Sequence, residues 1–212
     1  MPRRIDVSPQ RFAGWIDSFA ERHGGDLHAQ ADEDSVTFTA ADGATATCQV
    51  PFPPLREAPA DLAQAVAAHA TADRTVGVLL VRLGGYGAGV FTGTEPVLTA
   101  SKVGSRLVHG RSAAGGQSQR RFARRRENQA HQALSAAADT AAAVFGPYKL
   151  DALVLGGDRR AFAPIRKDAR LAPYFDVEVP AFLTVPDPRL TVLKDTPRLF
   201  RAIKITLNEP DK

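Results

Sequence analysis

The sequence predicts an α+β protein, a mixed β-sheet with helices packed on it, preceded by a small α+β module. Three stretches point there. Residues 75–83 (TVGVLLVRL) form an almost unbroken apolar run, as expected of a strand covered on both faces. Further on, Ala130, Ala133, Leu134, Ala137, Ala141 and Val144 recur at helical spacing in a long stretch free of proline and glycine. Upstream, residues 36–39 and 45–50 alternate around Asp42-Gly43, the pattern of a β-hairpin with a tight turn.

Composition sets the limits. A hydrophobic fraction of 44% sustains a buried core and excludes a globally disordered chain. At 212 residues the chain fits one domain plus a module, and the division is expected at 71–75: a module over 1–72 and the main domain over 73–212. Cys48 is the only cysteine, which excludes an internal disulfide framework and a cysteine-based metal site, and points to a reducing compartment. It sits in the alternating segment TATCQV and is expected to be a small buried hydrophobe. The opening MPRRIDVSPQRF has no apolar core of a signal peptide, and no run approaches the roughly 18 apolar residues of a membrane span. A cytoplasmic, monomeric protein with no membrane partner is therefore expected. His23, His28, His69, His109 and His131 show no metal-ligand spacing, so neither a metal nor another cofactor is expected.

In chain order, Ser8 or Asp6 can cap a first helix, with Pro9 in its first turn and Phe12, Trp15, Ile16 and Phe19 on its apolar face. His23-Gly24-Gly25 ends it, and 26–31 can be a strand before the hairpin. Pro51, Pro53 and Pro54 break regular structure, and 61–72 reads as a second helix. After the apolar run at 75–83, residues 84–87 (GGYG) are expected to turn, 89–92 to return as a strand, and 97–106 to make a third. Ser118 is placed to cap the long helix, which Gly146-Pro147 stops. A buried strand follows at 151–156, then a helix over 159–168 kinked at Pro164, a Pro-punctuated stretch, and a closing strand at 201–207.

The stretch 109–128, HGRSAAGGQSQRRFARRREN, concentrates the chemistry. Between Pro96 and Arg126 there is no acidic residue, and seven arginines stand at 106, 111, 120, 121, 124, 125 and 126. Gly115 and Gly116 permit backbone conformations closed to other residues and let the chain come close to a ligand. Arginine guanidinium groups grip phosphates as planar paired donors. Between them Gln117 carries an amide that donates and accepts hydrogen bonds but does not titrate. A solvated helix face is the bland account of such a charge run; the neutral GGQ tip beside it favours a nucleic-acid partner. Two other motifs fail. Residues 110–118 have the glycines of a phosphate-binding loop, but Gln117 stands where lysine is required. Residues 84–89 (GGYGAG) do not match the dinucleotide fingerprint and lie between two strands.

His109-Gly110-Arg111, then 115–118 (GGQS), then 121–126 (RFARRR) resemble the central-domain signature of the eukaryotic and archaeal class I peptide-release factors, with weaker likeness over 75–207. The short N-terminal module and the lack of a codon-reading domain look more like the Vms-type release-factor domains, and the composition suits an actinobacterial member. One departure is the insertion of Ser112, Ala113 and Ala114 between HGR and GGQ. The resemblance implies a ribonuclease-H-like sheet and hydrolysis of peptidyl-tRNA. Gln117 would act at the ester, with Gly115 and Gly116 shaping the loop. It further implies contacts of His109, Arg111, Ser118, Arg120, Arg121, Arg124, Arg125 and Arg126 with ribosomal RNA and the tRNA acceptor end. The partners implied are the large subunit, at its peptidyl transferase centre, and peptidyl-tRNA. A non-catalytic, Pelota-like RNA-binding factor is the alternative, and a metal-dependent nuclease a further one that would need converging carboxylates.

Overall fold

The structure, a computed structural model, describes residues 2–55, 61–82, 84–105 and 117–210, with the helical backbone alone for 117–126. The chain opens with β1 (Arg3–Val7), α1 (Pro9–Arg22), β2 (Leu27–Ala31), β3 (Ser35–Ala40), β4 (Thr45–Gln49) and α2 (Leu62–Thr71). There follow β5 (Val76–Arg82), β6 (Gly85–Thr92), β7 (Val97–Ser105), α3 (Gln117–Phe145) and β8 (Ala152–Gly157). The last third holds a 3-10 turn at Arg159–Ala161, α4 (Phe162–Ile165), α5 (Ala172–Phe175), β9 (Glu178–Leu183), α6 (Leu190–Lys194), α7 (Thr196–Phe200) and β10 (Ile203–Asn208). These elements make two compact units, one of 1–72 with 197–212 and one of 73–196.

The first unit is an antiparallel sheet in the order β1-β10-β4-β3-β2. Strand alternation gives it one apolar face: Val36, Phe38, Ala46, Cys48, Ile203, Ile205 and Leu207 are buried, while their neighbours Thr37, Thr47, Lys204 and Thr206 are not. Helix α1 covers the apolar face with Phe12, Ile16 and Phe19, and α2 adds Ala63 and Val66. Asp61 caps α2 by accepting the Gln64 N–H at 3.0 Å, whereas Ser8 makes no such side-chain bond at α1. Asp42 builds the hairpin turn, accepting the Ala44 N–H at 2.9 Å, and its carboxylate meets His23 Nδ1 at 2.8 Å. That hydrogen bond, foremost, holds the Asp42 carboxyl below the ordinary carboxylate range. Cys48 lies buried among these side chains, and desolvation pushes its thiol up to about 12, as fits a packing residue.

The closing strand departs from expectation. The sequence reading places 201–207 in the main domain, yet β10 inserts between the edge strand β1 and β4 in the first sheet. Alternation in RAIKITL marks a strand but carries no information on which sheet receives it.

The second unit has the strand order β7-β6-β5-β8-β9, which is third-second-first-fourth-fifth within the unit, with β6 alone antiparallel to the rest. This is the ribonuclease-H-like arrangement. The central strand β5 is buried from Val76 to Val81, in keeping with its apolar run. Two elements differ from the reading of the sequence. β6 begins at Gly85, so the expected turn at 84–87 is largely strand, and 159–168 is a 3-10 turn followed by the single helical turn of α4.

Candidate functional site

Helix α3 has 29 residues and a length of about 43 Å at 1.5 Å per residue. Its far half is firmly seated. Ala137, Ala138, Ala141, Val144 and Phe145 pack with Leu79, Val81, Ala88 and Val90 of the sheet, and the run of alanines lets the helix lie close. Phe145 meets Tyr174 edge-to-face at 5.4 Å. On the outer side Arg170 Nη2 donates to Asp139 at 2.7 Å and to Asp168 at 2.6 Å, tying the helix to the segment after α4. The Asp168 carboxyl is lowered chiefly by this Arg170 bond, and the Arg170 guanidinium is raised in turn. The groups are exposed, so the contribution to stability is small.

Strand β7 delivers the chain to the site. Its last residue, Ser105, pairs with Gly85, Arg82 pairs with the same Gly85, and Val81 pairs with Gly157. The ends of β5, β7 and β8 therefore coincide at one end of the sheet, where β9 also ends. His109, Arg111, Gly115 and Gly116 lie outside the described residues. Gln117 is the first residue of α3, so Ser118 stands inside the first turn and is not the cap expected of it. The difference is of the size by which helix starts vary. Burial along α3 sets in at Ala133, with 127, 128, 131 and 132 exposed.

Helical spacing sorts the basic positions. Positions 117, 120, 121, 124 and 125 follow the i, i+3, i+4, i+7, i+8 rule and share one face of α3. That face continues through 128, 131, 132 and 135, all exposed. Position 126 falls on the other side, in register with the buried Ala133 and Ala137. The first turn holds no acidic residue. An α-helix presents unpaired N–H groups and partial positive charge at its start, where carboxylates stabilise it and cations do not. Crowding arginines there runs against the stability of the isolated helix and suits a site that receives an anion.

The same end of the sheet carries cations that the sequence did not single out. Arg82 Nη1 donates to the Val185 carbonyl at 2.8 Å, and the Arg159 guanidinium lies 4.1 Å over the Phe182 ring. Arg160 and Arg189 are exposed and make no ion pair with a described residue. Gly157, at φ +103°, turns the chain sharply after β8, and a Cβ there would stand 2.2 Å from the Val81 carbonyl oxygen. Asp158 then donates its N–H to that carbonyl at 2.8 Å and accepts the Arg160 N–H on its carboxylate at 2.9 Å. The run Gly156-Gly157-Asp158 was a legible turn signal; the convergence of strand ends around it depends on pairings remote in sequence. Among the described residues no three His, Cys, Asp or Glu side chains cluster so as to hold a metal ion. Nor, among them, is any helix long and apolar enough to cross a membrane.

A family profile over more than half of the chain places the protein in the release-factor class. The profile of the Actinobacteria/chloroflexi VLRF1 release factor family matches residues 74–206, and the chain belongs to that family. No curated protein matches it in sequence. Among solved structures it is similar to the archaeal translation termination factor aRF1, at 11% identity and a TM-score of 0.39, over 94% of this chain and 66% of that one. It thus spans slightly less than two thirds of that factor. It is also similar to the Vms1 mitochondrial localization core, at 10% identity and a TM-score of 0.40, over 84% of this chain and 77% of that one.

Proposed function

We propose that the protein is a codon-independent peptidyl-tRNA hydrolase that frees nascent chains from stalled ribosomes or large subunits in the cytoplasm. The observation that carries this reading is the position of Gln117. It stands at the head of a helix that is anchored at its far end, on the helix face shared with four arginine positions.

The reaction is attack of water on the ester carbonyl carbon. The bond to the 3′-terminal ribose oxygen of the tRNA breaks, the peptide leaves as a carboxylic acid, and the ribose oxygen takes up the proton. The barrier falls when water is held in a near-attack arrangement and when N–H donors meet the oxygen on which charge develops. As the first residue of α3, Gln117 has a backbone N–H without an intrahelical acceptor, and that donor is available to the reacting or leaving oxygen. Its uncharged amide positions the water. Gly115 and Gly116 give the loop the conformation this needs. Arg111, Arg120, Arg121, Arg124, Arg125 and Arg126, with His109 and Ser118, contact ribosomal RNA and the acceptor end, which positions the loop without reading sequence. The second unit performs the chemistry, in the peptidyl transferase centre of the large subunit.

The test is peptide release from purified stalled nascent-chain complexes, with and without the small subunit. Gln117→Ala should lower the release rate by about 100-fold or more, the scale of losing a donor at a developing oxyanion. It should leave ribosome co-sedimentation intact. Release unchanged by Gln117→Ala overturns the assignment. Binding without release by the wild type favours the non-catalytic, Pelota-like alternative.

A further inference from the structure

We infer that the first unit carries a peptide-docking groove, between β1 and α1, for an extended acidic segment of a partner protein. The groove encloses about 800 Å³, within the range of built binding sites, about 300–1,000 Å³. One wall is β1, the edge of the first sheet, whose outer side pairs with no strand among the described residues. The opposite wall is the face of α1 that bears Arg11, Gly14 and Trp15, and Leu199 and Ala202 close one end. An extended peptide laid against such an edge continues the hydrogen-bond ladder and sends alternate side chains into the adjoining groove. The five residues of β1 offer an edge about 17 Å long.

Two residues mark the groove, and one of them, Gly14, is costly to the helix unless something occupies it. Gly14 sits in the middle of the 14-residue α1, where alanine would favour the helix, and a Cβ there would meet nothing within 4 Å. No packing inside the protein asks for glycine; a partner backbone coming close to the helix does. Trp15 is half-buried, stacked on Phe19 with ring centroids 5.8 Å apart and planes 12° apart, so a large apolar ring is held rigidly at the groove wall. Its ring N–H makes no hydrogen bond with a described residue. Fixed tryptophans of this kind anchor protein interfaces.

Charge decides the partner. The first unit has nine Lys and Arg against twelve Asp and Glu, so it is acidic as a whole. Yet Arg3 and Arg4 on β1 and Arg11 and Arg198 at the groove are exposed cations, with Asp6 the one carboxylate lining it. None of the four arginines makes an ion pair with a described residue. A cationic rim, an apolar floor and a free strand edge fit acidic side chains alternating with aliphatic ones. Charges on an edge strand can also serve only to deter aggregation; that role needs neither a groove beside the strand nor an open glycine on the facing helix.

The test uses the full chain and a fluorescein-labelled octapeptide of alternating Glu and Val, with the Lys/Val octapeptide and single-stranded oligouridylate as comparisons, read by anisotropy. The Glu/Val peptide should bind, and its amides should slow hydrogen exchange in residues 3–7. Gly14→Leu, which projects bulk into open space, should keep the circular dichroism of the wild type and weaken binding by about tenfold or more, as for a contact at an interface centre. Arg11→Glu with Arg198→Glu, at surface positions, should weaken it similarly, so the result stands even if Gly14→Leu perturbs folding. The inference is overturned if the Glu/Val peptide binds no better than the Lys/Val peptide, or if neither variant weakens it. It is likewise overturned if Gly14→Leu abolishes instead the binding of oligouridylate, or a self-association of the chain, which assigns the groove to RNA or to a second copy.

Discussion

The two units carry opposite charge, and the difference is local in origin. Residues 73–196 hold eighteen Lys and Arg against eleven Asp and Glu, while 1–72 with 197–212 hold nine against twelve. All of the surplus in the second unit comes from the seven arginines between 106 and 126; the rest of it balances, eleven against eleven. A modest net charge of +4 thus conceals one concentrated cationic element in an otherwise neutral unit, offset by the acidic balance of the other unit. A net negative unit repels a polyanion, whereas a concentrated cationic element attracts one.

The contrast can be broken most forcefully from the first unit. Phe12 is wholly buried under α1, and Phe12→Ala is expected to cost about 3–5 kcal/mol, measurable as a lower urea midpoint. The affinity of the second unit for single-stranded RNA should survive in conditions where that variant stays folded; a parallel loss would place RNA binding in the acidic unit. A smaller effect follows from Arg124→Ala with Arg125→Ala. Each lost phosphate contact lowers the slope of log affinity against log salt by about 0.7–0.9, so the pair should flatten it by about 1.5 in an anisotropy titration. An unchanged slope would remove the basic face from the interface. The smallest effect is the most diagnostic in sign. Arg120→Glu puts a carboxylate into the first turn of α3 and should stabilise the free protein by about 0.3–1 kcal/mol, while weakening RNA binding. Thermal unfolding and RNA affinity should therefore move in opposite directions.

Legibility followed the range of the interactions. Phe12, Ile16 and Phe19 announced α1 because periodicity is local, and the hairpin at Asp42-Gly43 and the apolar β5 were readable for the same reason. Strand β1 was hidden because RRIDV carries three charges, tolerated only because it is an edge. Strand β9 was hidden by Pro180, which an edge strand likewise accepts. Gly85 and Gly87 of β6 read as a turn but lie in a strand packed closely on its neighbours: a Cβ on Gly87 would lie 3.1 Å from Val103. At the candidate site the motif itself was plain. What local pattern could not convey is that β5, β8 and the segment after β9 bring Arg82, Arg160 and Arg189 to one end of the sheet.

The placement of β10 has a consequence for how the molecule is made. Its partners β1 and β4 are synthesised more than 150 residues before it, and both must wait for it. During translation the second unit can complete its sheet first, while the first sheet remains unfinished, with a gap between β1 and β4. Newly made protein is therefore without a complete first sheet until Ile203–Asn208 has been made, and a chain cut short before Ile203 would never acquire it.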